Sequence, residues 1–287
     1  MLPLTGTPAT DGVPDRPVLV VKVDNTQHGR PQVGLSQADL VVEELVEGGL
    51  TRLAVMFHSA LPEVVVPVRS IRTTDVGIVA PTGGALVASG GAGRVLRIVD
   101  QAGITVVAEG DPGLSREASR SAPYNVVLDP AAALNGLTGQ APPAVPYLAW
   151  APSGATPPAG TVASSVTVMF SAAHSTRWEW ADGVWRRLDE LAAEGDEFRP
   201  ANVLVLRVTT RDAGYQDPAG NPVPETVLEG SGAATLLTGG RAVESRWSKA
   251  SPAQPFELSD ASGASLAVPP GRTWIELVPE AGSVDTG

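Results

Sequence analysis

Pro67-Val68-Arg69-Ser70-Ile71-Arg72 places two guanidinium groups and a hydroxyl within six residues. The planar fork of arginine captures carboxylate or phosphate through paired hydrogen bonds, so this segment is a candidate anion site. Arg30 and Arg52, in other turns or strand ends, are added as candidate contacts. In an extended backbone Arg69 and Ile71 face one way while Ser70 and Arg72 face the other, so a turn is needed for both arginines to converge. A second element is Ser89-Gly90-Gly91-Ala92-Gly93, expected between a strand and a helix. Amides at Gly90 and Gly91, exposed at a helix N-terminus, suit an anion. The loop fits neither the dinucleotide fingerprint nor the P-loop pattern. A plain tight turn and structural salt bridges are the competing readings.

The acidic candidates are Asp24, Glu43 and Glu47, with Asp39 and Glu44 nearby. Asp24 ends an expected strand, where ligand-binding carboxylates often lie. If residues 40–46 form a strand, Glu43 and Glu47 share a face and Glu44 lies opposite. Asp24, Glu43 and Glu47 would then orient the arginines or hold Mg²⁺ or Ca²⁺ through oxygen ligands. No spacing matches an EF-hand, and carboxylates that simply face water are the commoner case. No other cofactor is expected.

No catalytic residue is assigned. The histidines are His28, His58 and His174, with no zinc spacing, and no serine sits in a Gly-x-Ser-x-Gly elbow. His28 reads as a surface residue in a turn and His58 as a hydrogen-bonded structural residue at a strand end. Cysteine is absent, which excludes disulfides, thiol catalysis and cysteine-based metal sites.

The elements that must position these groups read as α+β: a mixed α/β N-terminal domain with a βαβ-like unit, then a β-rich, mainly antiparallel C-terminal domain. Residues 17–23 form a β-branched run ending at Asp24-Asn25. Residues 40–46 and 50–57 are strands of a hairpin joined through Glu47-Gly48-Gly49. A helix over 36–47, capped by Ser36, is the rival, and the valine content favours the strand. Residues 85–89, 94–102 and 104–108 read as strand, helix and strand. In the second half, short strands are expected at 166–170, 177–180, 185–188, 203–208, 233–237, 242–247 and 274–278. Around Trp178, Trp180 and Trp185, arginines alternate with aromatics, as on a sheet with one wet face. The tryptophans serve the core or a sheet face rather than a ligand. Proline and glycine cluster between residues 140 and 160, which sets the boundaries: an arm at 1–14, a first domain at 15–150, a linker at 151–160 and a second domain at 161–287. No internal repeat is found.

The chain has 287 residues, enough for two domains of ordinary size, and its 43% hydrophobic content supports a sizeable core. Its formal charge of −11 makes it a poor non-specific partner for nucleic acid or anionic lipid. No apolar run approaches the roughly 20 residues of a membrane span. The first residues lack a basic segment followed by an apolar run. This fits either a cytosolic protein or a chain that begins after a removed targeting segment. Of its 20 basic residues only Lys22 and Lys249 are lysines, a bias that a GC-rich genome would explain.

An ordered series of motifs carries a family resemblance. Pro3-Leu4-Thr5-Gly6, Arg16-Pro17, Asp24-Asn25 and Arg30-Pro31-Gln32-Val33-Gly34-Leu35 open it. Ala38-Asp39-Leu40-Val41-Val42-Glu43, Glu47-Gly48-Gly49-Leu50-Thr51-Arg52, the 67–72 segment and Ser119-Arg120-Ser121-Ala122-Pro123-Tyr124-Asn125 continue it. Asn202-Val203, Glu229-Gly230-Ser231-Gly232 and Gly271-Arg272-Thr273-Trp274-Ile275 complete it. Together they resemble the YerB-like family of bacterial lipoproteins, over nearly the whole chain. Val42 departs from the pattern, which often has tyrosine there. The resemblance implies two domains of unknown function on the outer face of the cytoplasmic membrane, held by a lipid anchor that this chain does not carry. It also implies a neighbourhood of cell-wall synthesis enzymes, and it brings no catalytic residue.

Two functions are expected from this. One is a non-catalytic binding or scaffold protein of the envelope, with a cell-wall synthesis protein or an anionic wall component as partner. The other is a metal-assisted enzyme acting on a phosphate ester or pyrophosphate lipid at the arginine-rich site. They differ in geometry: the enzyme needs Asp24 and Arg69 or Arg72 to converge in one concave pocket.

Overall fold

The computed structural model describes residues 1–287. Strands dominate and helices are few and short. In the first half the strands are β1 (Leu19–Asp24), β2 (Leu40–Leu45), β3 (Thr51–Phe57), β4 (Ala85–Val87), β5 (Val106–Val107), β6 (Leu114–Arg116) and β7 (Val126–Leu128). The helices are α1 (Asp75–Val79), α2 (Gly93–Gln101) and α3 (Pro130–Asn135). The second half adds β8 (Thr161–Val162), β9 (Ser165–Ser171), β10 (His174–Ala181), β11 (Val184–Arg187), β12 (Asn202–Val208) and β13 (Thr210–Gln216). It ends with β14 (Pro222–Thr226), β15 (Gly230–Thr238), β16 (Arg241–Lys249), β17 (Glu257–Ser259), β18 (Thr273–Pro279) and β19 (Ser283–Thr286).

Valine-rich runs form the centre. β1, β2 and β3 are buried on both faces and pair in the order β2-β3-β1, antiparallel, with Val21 opposite Val55 and Val41 opposite the same residue. The hairpin turn between β2 and β3 needs φ of 70° at Gly48 and 72° at Gly49, which glycine adopts without steric cost. β18 then pairs with β2 in parallel, Thr273 beside Leu40 through Leu277 beside Glu44. One eleven-stranded sheet therefore runs through both halves, β17-β16-β15-β12-β18-β2-β3-β1-β4-β5, with β8 on β16.

This sheet has two covered faces. One carries Val21, Val41, Val55, Val205 and Trp274 and packs on Phe170, Trp178 and Trp185 of a second, four-stranded sheet, β11-β10-β9-β19. On β10, Trp178 is buried while Arg177 and Glu179 are exposed, so one face is wet as expected. The other face carries Val20, Val42, Met56, Leu204 and Ile275 and packs on Ile78 and Val79 of α1, Val95 and Val99 of α2, Tyr147 and Phe256. The arm docks here too: Leu4 is buried and the Trp150 indole donates to the Pro3 carbonyl at 3.0 Å.

The second half is β-rich as expected, with β12–β18 as its parallel exception. The mixed α/β expectation for the first half is met only in part. β4, α2 and β5 make a parallel βαβ unit, but α1 has five residues and α3 six, so strands outweigh helices there too.

Candidate functional site

β1, β2, β4, β5, β12 and β18 all run in one direction, so their carboxyl ends share an edge, where ligands of open α/β sheets settle. Strand alternation sends neighbouring residues of this edge to opposite faces. Asp24, Glu44 and Arg52 lie on the helical face; Asn25, Glu43 and Thr51 lie on the face toward the small sheet. Two polar clusters thus stand back to back.

The helical-face cluster holds most of the predicted site. The chain turns after Pro67, and Arg69 and Arg72 both come near Arg52, whose Nη1 donates to the Ser70 carbonyl at 3.0 Å. The glycine loop lies against the same segment: the Ile71 amide donates to the Gly90 carbonyl at 3.0 Å and the Ser89 amide to the Arg69 carbonyl at 3.0 Å. Gly91 follows beside Ile71 and leads into α2.

The arginines already have partners. Arg69 pairs with Asp24 and lies over the Tyr124 ring, 4.9 Å from its centroid. Asp24 Oδ1 also accepts from the Thr26 amide and hydroxyl, and Gly29 lies so close that a Cβ there would clash with that oxygen. Arg72 grips Glu47 through Nε and Nη2, and Arg52 shares the same carboxylate at 3.2 Å. Burial opposes the charge of Glu47, but the Arg72 hydrogen bond and the Arg52 charge prevail and hold it at about 2. Burial and then the neighbouring Arg72 lower Arg52 to about 10, with Arg69 adding to the repulsion.

Behind this cluster the Lys22 ammonium is fully buried between Glu44 and Asp75, the latter at 2.7 Å. Burial pushes Glu44 upward, Lys22 pulls it back, and Asp75 adds to the rise, so the net direction is up. Asp75 also accepts from the Arg72 amide at 2.7 Å, which anchors the arginine segment to the triad.

The opposite cluster is centred on Glu43, with no exposure. Its Oε1 accepts from Asn25 Nδ2 at 2.9 Å, Thr51 Oγ1 at 2.7 Å and His174 Nε2 at 2.8 Å, and Thr176 Oγ1 reaches both oxygens. Burial works against ionisation here, yet the His174 hydrogen bond and the Arg187 charge outweigh it and hold Glu43 at about 2. Glu276, beside Glu43 in the β2–β18 register, goes the other way: burial, then the Glu43 charge, raise it well above the carboxylate range. Its Oε1 accepts from the Trp178 indole at 2.8 Å, and the neutral form that the upward direction favours is the one able to share a hydrogen bond with Glu43.

Three expectations are corrected. Glu43 does not orient the arginines, because strand alternation turns it to the other face. Glu47 does not share that face, because β2 stops at Leu45 and the turn re-aims Glu47 toward Arg72. Arg30 is exposed and stands outside the cluster. The acids that were to hold Mg²⁺ or Ca²⁺ are therefore dispersed, and no group of three or more His, Asp or Glu side chains is placed to bind a metal ion. Asp24 and Arg69 do meet, as a pair rather than as walls of a pocket. His58 is buried and structural, its amide held by Asp39 at 2.7 Å, and His28 is exposed.

Glu44 was grouped with the acidic candidates, but Lys22 and Asp75, and His174, Arg187 and Glu276 of the Glu43 network, were not offered as site residues from sequence. The available signal was a charge inside an apolar strand run, as in Val-Val-Lys22-Val or Trp-Ile-Glu276-Leu-Val.

Comparison with known proteins places both halves in one family. Residues 4–142 match the N-terminal domain, and residues 166–275 the C-terminal domain, of "Protein of unknown function (DUF3048)". A protein of Bacillus subtilis (strain 168) named "Putative lipoprotein YerB" is 49% identical over 70 residues, a stretch that spans 24% of this chain and 21% of that protein. The crystal structure of YerB protein from Bacillus subtilis superposes with a TM-score of 0.81 at 22% identity, over 99% of this chain and 98% of that one, which establishes the shared fold.

Proposed function

The chain belongs to the family of proteins of unknown function DUF3048, and from that premise we propose that it is a non-catalytic binding protein of the bacterial envelope. It captures an anionic group, on a wall component or on a cell-wall synthesis protein, at the carboxyl edge of its sheet. An extracytoplasmic place, reached through a lipid anchor, is supported by the lipoprotein name of the Bacillus relative. No helix is long and apolar enough to cross a membrane.

The observation that carries the reading is the gathering of three guanidinium groups at that edge. Arg52, Arg69 and Arg72 share two carboxylates, Asp24 and Glu47, and burial and their crowding lower Arg52 to about 10. The second acid of the Lys22 triad balances the face as a whole, so an incoming anion is held by the crowded guanidinium donors rather than by net charge. Ser70 and the Gly90-Gly91 loop border the same point. The metal-assisted alternative lacks comparable support, since Asp24 and Glu47 are engaged by arginines and Glu43 faces away.

The test is a thermal-shift screen of the wild type and an Arg69→Gln/Arg72→Gln variant against pyrophosphate, teichoic-acid fragments and muropeptides. A ligand at 100 times its dissociation constant adds about 2.7 kcal/mol. For 287 residues that is about 4–5 °C in Tm. The expected result is a shift with anionic ligands that the variant loses. No shift, or the same shift in both proteins, would refute the arginine site.

A further inference from the structure

The second polar cluster opens on a cleft that the arginine site does not use. Its volume is about 420 Å³, and Asn25, Gln27, His28, His174, Arg187 and Asp189 line it, with few apolar side chains among them. That size suits a small ligand.

The hydrogen-bond pattern fixes what the wall offers. The Thr51 hydroxyl donates to Glu43 at 2.7 Å and lies 3.0 Å from His174 Nε2, so toward the imidazole it can only accept. The Thr176 hydroxyl is likewise directed at Glu43. His174 Nε2 therefore carries the proton, which it gives to Glu43 at 2.8 Å. Nε2 makes every hydrogen bond of the ring, so in the neutral imidazole Nδ1 is a lone-pair acceptor on a side chain at the cleft wall. Arg187 is fixed in the same way: Nη1 donates to Asn25 Oδ1 at 2.9 Å and Nε lies 3.6 Å from Asp189, while Nη2 has no partner in the chain.

One cation, Arg187, stands against two acids, Asp189 and the buried Glu43, so nothing in this cleft draws an anion. An acceptor and a donor side by side complement a group that both gives and takes hydrogen bonds.

We propose that this cleft binds a neutral polyhydroxyl ligand, a saccharide or polyol, with one hydroxyl donating to His174 Nδ1 and a ligand oxygen accepting from Arg187 Nη2. Glu43 is a positioning residue: it holds the imidazole in the tautomer that presents Nδ1. The site lies on the opposite face of the sheet from Arg69 and Arg72 and is independent of the anion-binding reading.

The experiment is NMR of the full chain with ¹⁵N-labelled histidine, titrated with chitobiose and with ribitol. Before titration His174 shows the Nε2–H tautomer. Addition of at least one of the two moves its Nδ1 resonance in a saturable way. His174→Gln, at a side chain 12% exposed, weakens that ligand at least tenfold, and Arg69→Gln/Arg72→Gln leaves it unchanged. Glu43→Gln brings in the Nδ1–H tautomer and weakens binding, a change that a purely structural Glu43 would not produce. A wild-type Nδ1–H tautomer, no response of His174 to either probe, or binding lost in the arginine variant but kept in His174→Gln would each overturn the proposal.

Discussion

Replacing Lys22 by methionine tests whether the buried triad holds the arginine segment in place. Methionine matches the length and apolar stem of lysine, so the change removes a charge with little loss of volume. Glu44 and Asp75 would then be two carboxylates with no exposure and no cation between them. Removing one partner of a buried ion pair costs about 3–5 kcal/mol. With an unfolding entropy of about 2.1 cal/mol/K per residue, that lowers Tm by about 5–8 °C. The sign of the pH dependence follows from the same geometry. In the variant the two carboxylates ionise less readily folded than unfolded. The penalty is therefore absent below the ordinary carboxylate range and grows as pH rises toward the raised folded value. If one of the two takes up a proton, the cost at pH 5 is about 2 kcal/mol smaller than at pH 7. Urea unfolding of both proteins at pH 5 and 7 measures this. Glu44→Gln is the control: it keeps the Lys22–Asp75 pair and should cost about 1 kcal/mol or less. A Lys22→Met cost below 1 kcal/mol at pH 7, or one that does not fall on acidification, would refute the account of Lys22 as the cation holding Asp75 and, through it, the Arg72 amide.

Glu276→Gln is expected to be nearly neutral at pH 4 and to stabilise the protein at pH 8 by about 1–2 kcal/mol. A glutamine amide donates to Glu43 as the protonated acid does, without the cost that a raised folded pKa imposes as pH increases; destabilisation at pH 8 in urea unfolding would contradict this. Trp274→Ala removes an indole that is 2% exposed and packs on Trp178 and Phe198, with ring centroids 5.2 and 5.9 Å away. It should cost about 3–5 kcal/mol. Because β18 joins the two halves, the loss should appear as one transition by near-UV circular dichroism and by hydrogen exchange of β1 and β12 alike. Two separated transitions would mean that the halves are not coupled through the sheet.

The strands of the core were legible because their chemistry is local. Valine runs at 17–23 and 40–46 prefer the pleated sheet, and the Gly48-Gly49 turn permits the hairpin, so the rival helix over 36–47 does not form. The hairpin β13–β14 was missed because its residues are polar and broken by glycine and proline, and it is fixed by docking instead, as when the Thr226 amide donates to Thr74 at 3.0 Å. Helix α3 was missed although its start is signalled locally: Asp129 caps the Ala132 amide at 3.0 Å and proline occupies the first turn. Arg69, Arg72 and the glycine loop were found because their spacing is short. Their meeting with Arg52 depends on the turn after Pro67. The Glu43 network was out of reach, since His174 is 131 residues away and Glu276 joins it only through the β2–β18 pairing. No local period encodes such a contact.

That pairing also explains why charges sit mid-sheet, where burial is costly. Glu43 and Glu44 are consecutive, and each satisfies a different cluster on a different face: Glu43 the His174 and Arg187 side, Glu44 the Lys22 side. A slip of β2 by one residue would put one of them in the other's place and the second at an apolar position. In one direction Glu43 would lie beside Ala54 and Ile275 while Lys22 faced Leu45, and in the other Glu44 would take the place of Leu45, each time leaving a carboxylate without its donors. Hydrophobic runs as uniform as β1, β2 and β3 discriminate poorly between registers by themselves, because valine replaces valine at little cost. The buried ion pairs supply the discrimination, at several kcal/mol for each unpaired charge. The register they enforce is the one that delivers Asp24 and Arg52 to one face of the edge and Asn25 and Thr51 to the other. The two candidate sites are in this sense one consequence: the charges that lock the sheet also decide which side chains its carboxyl edge presents.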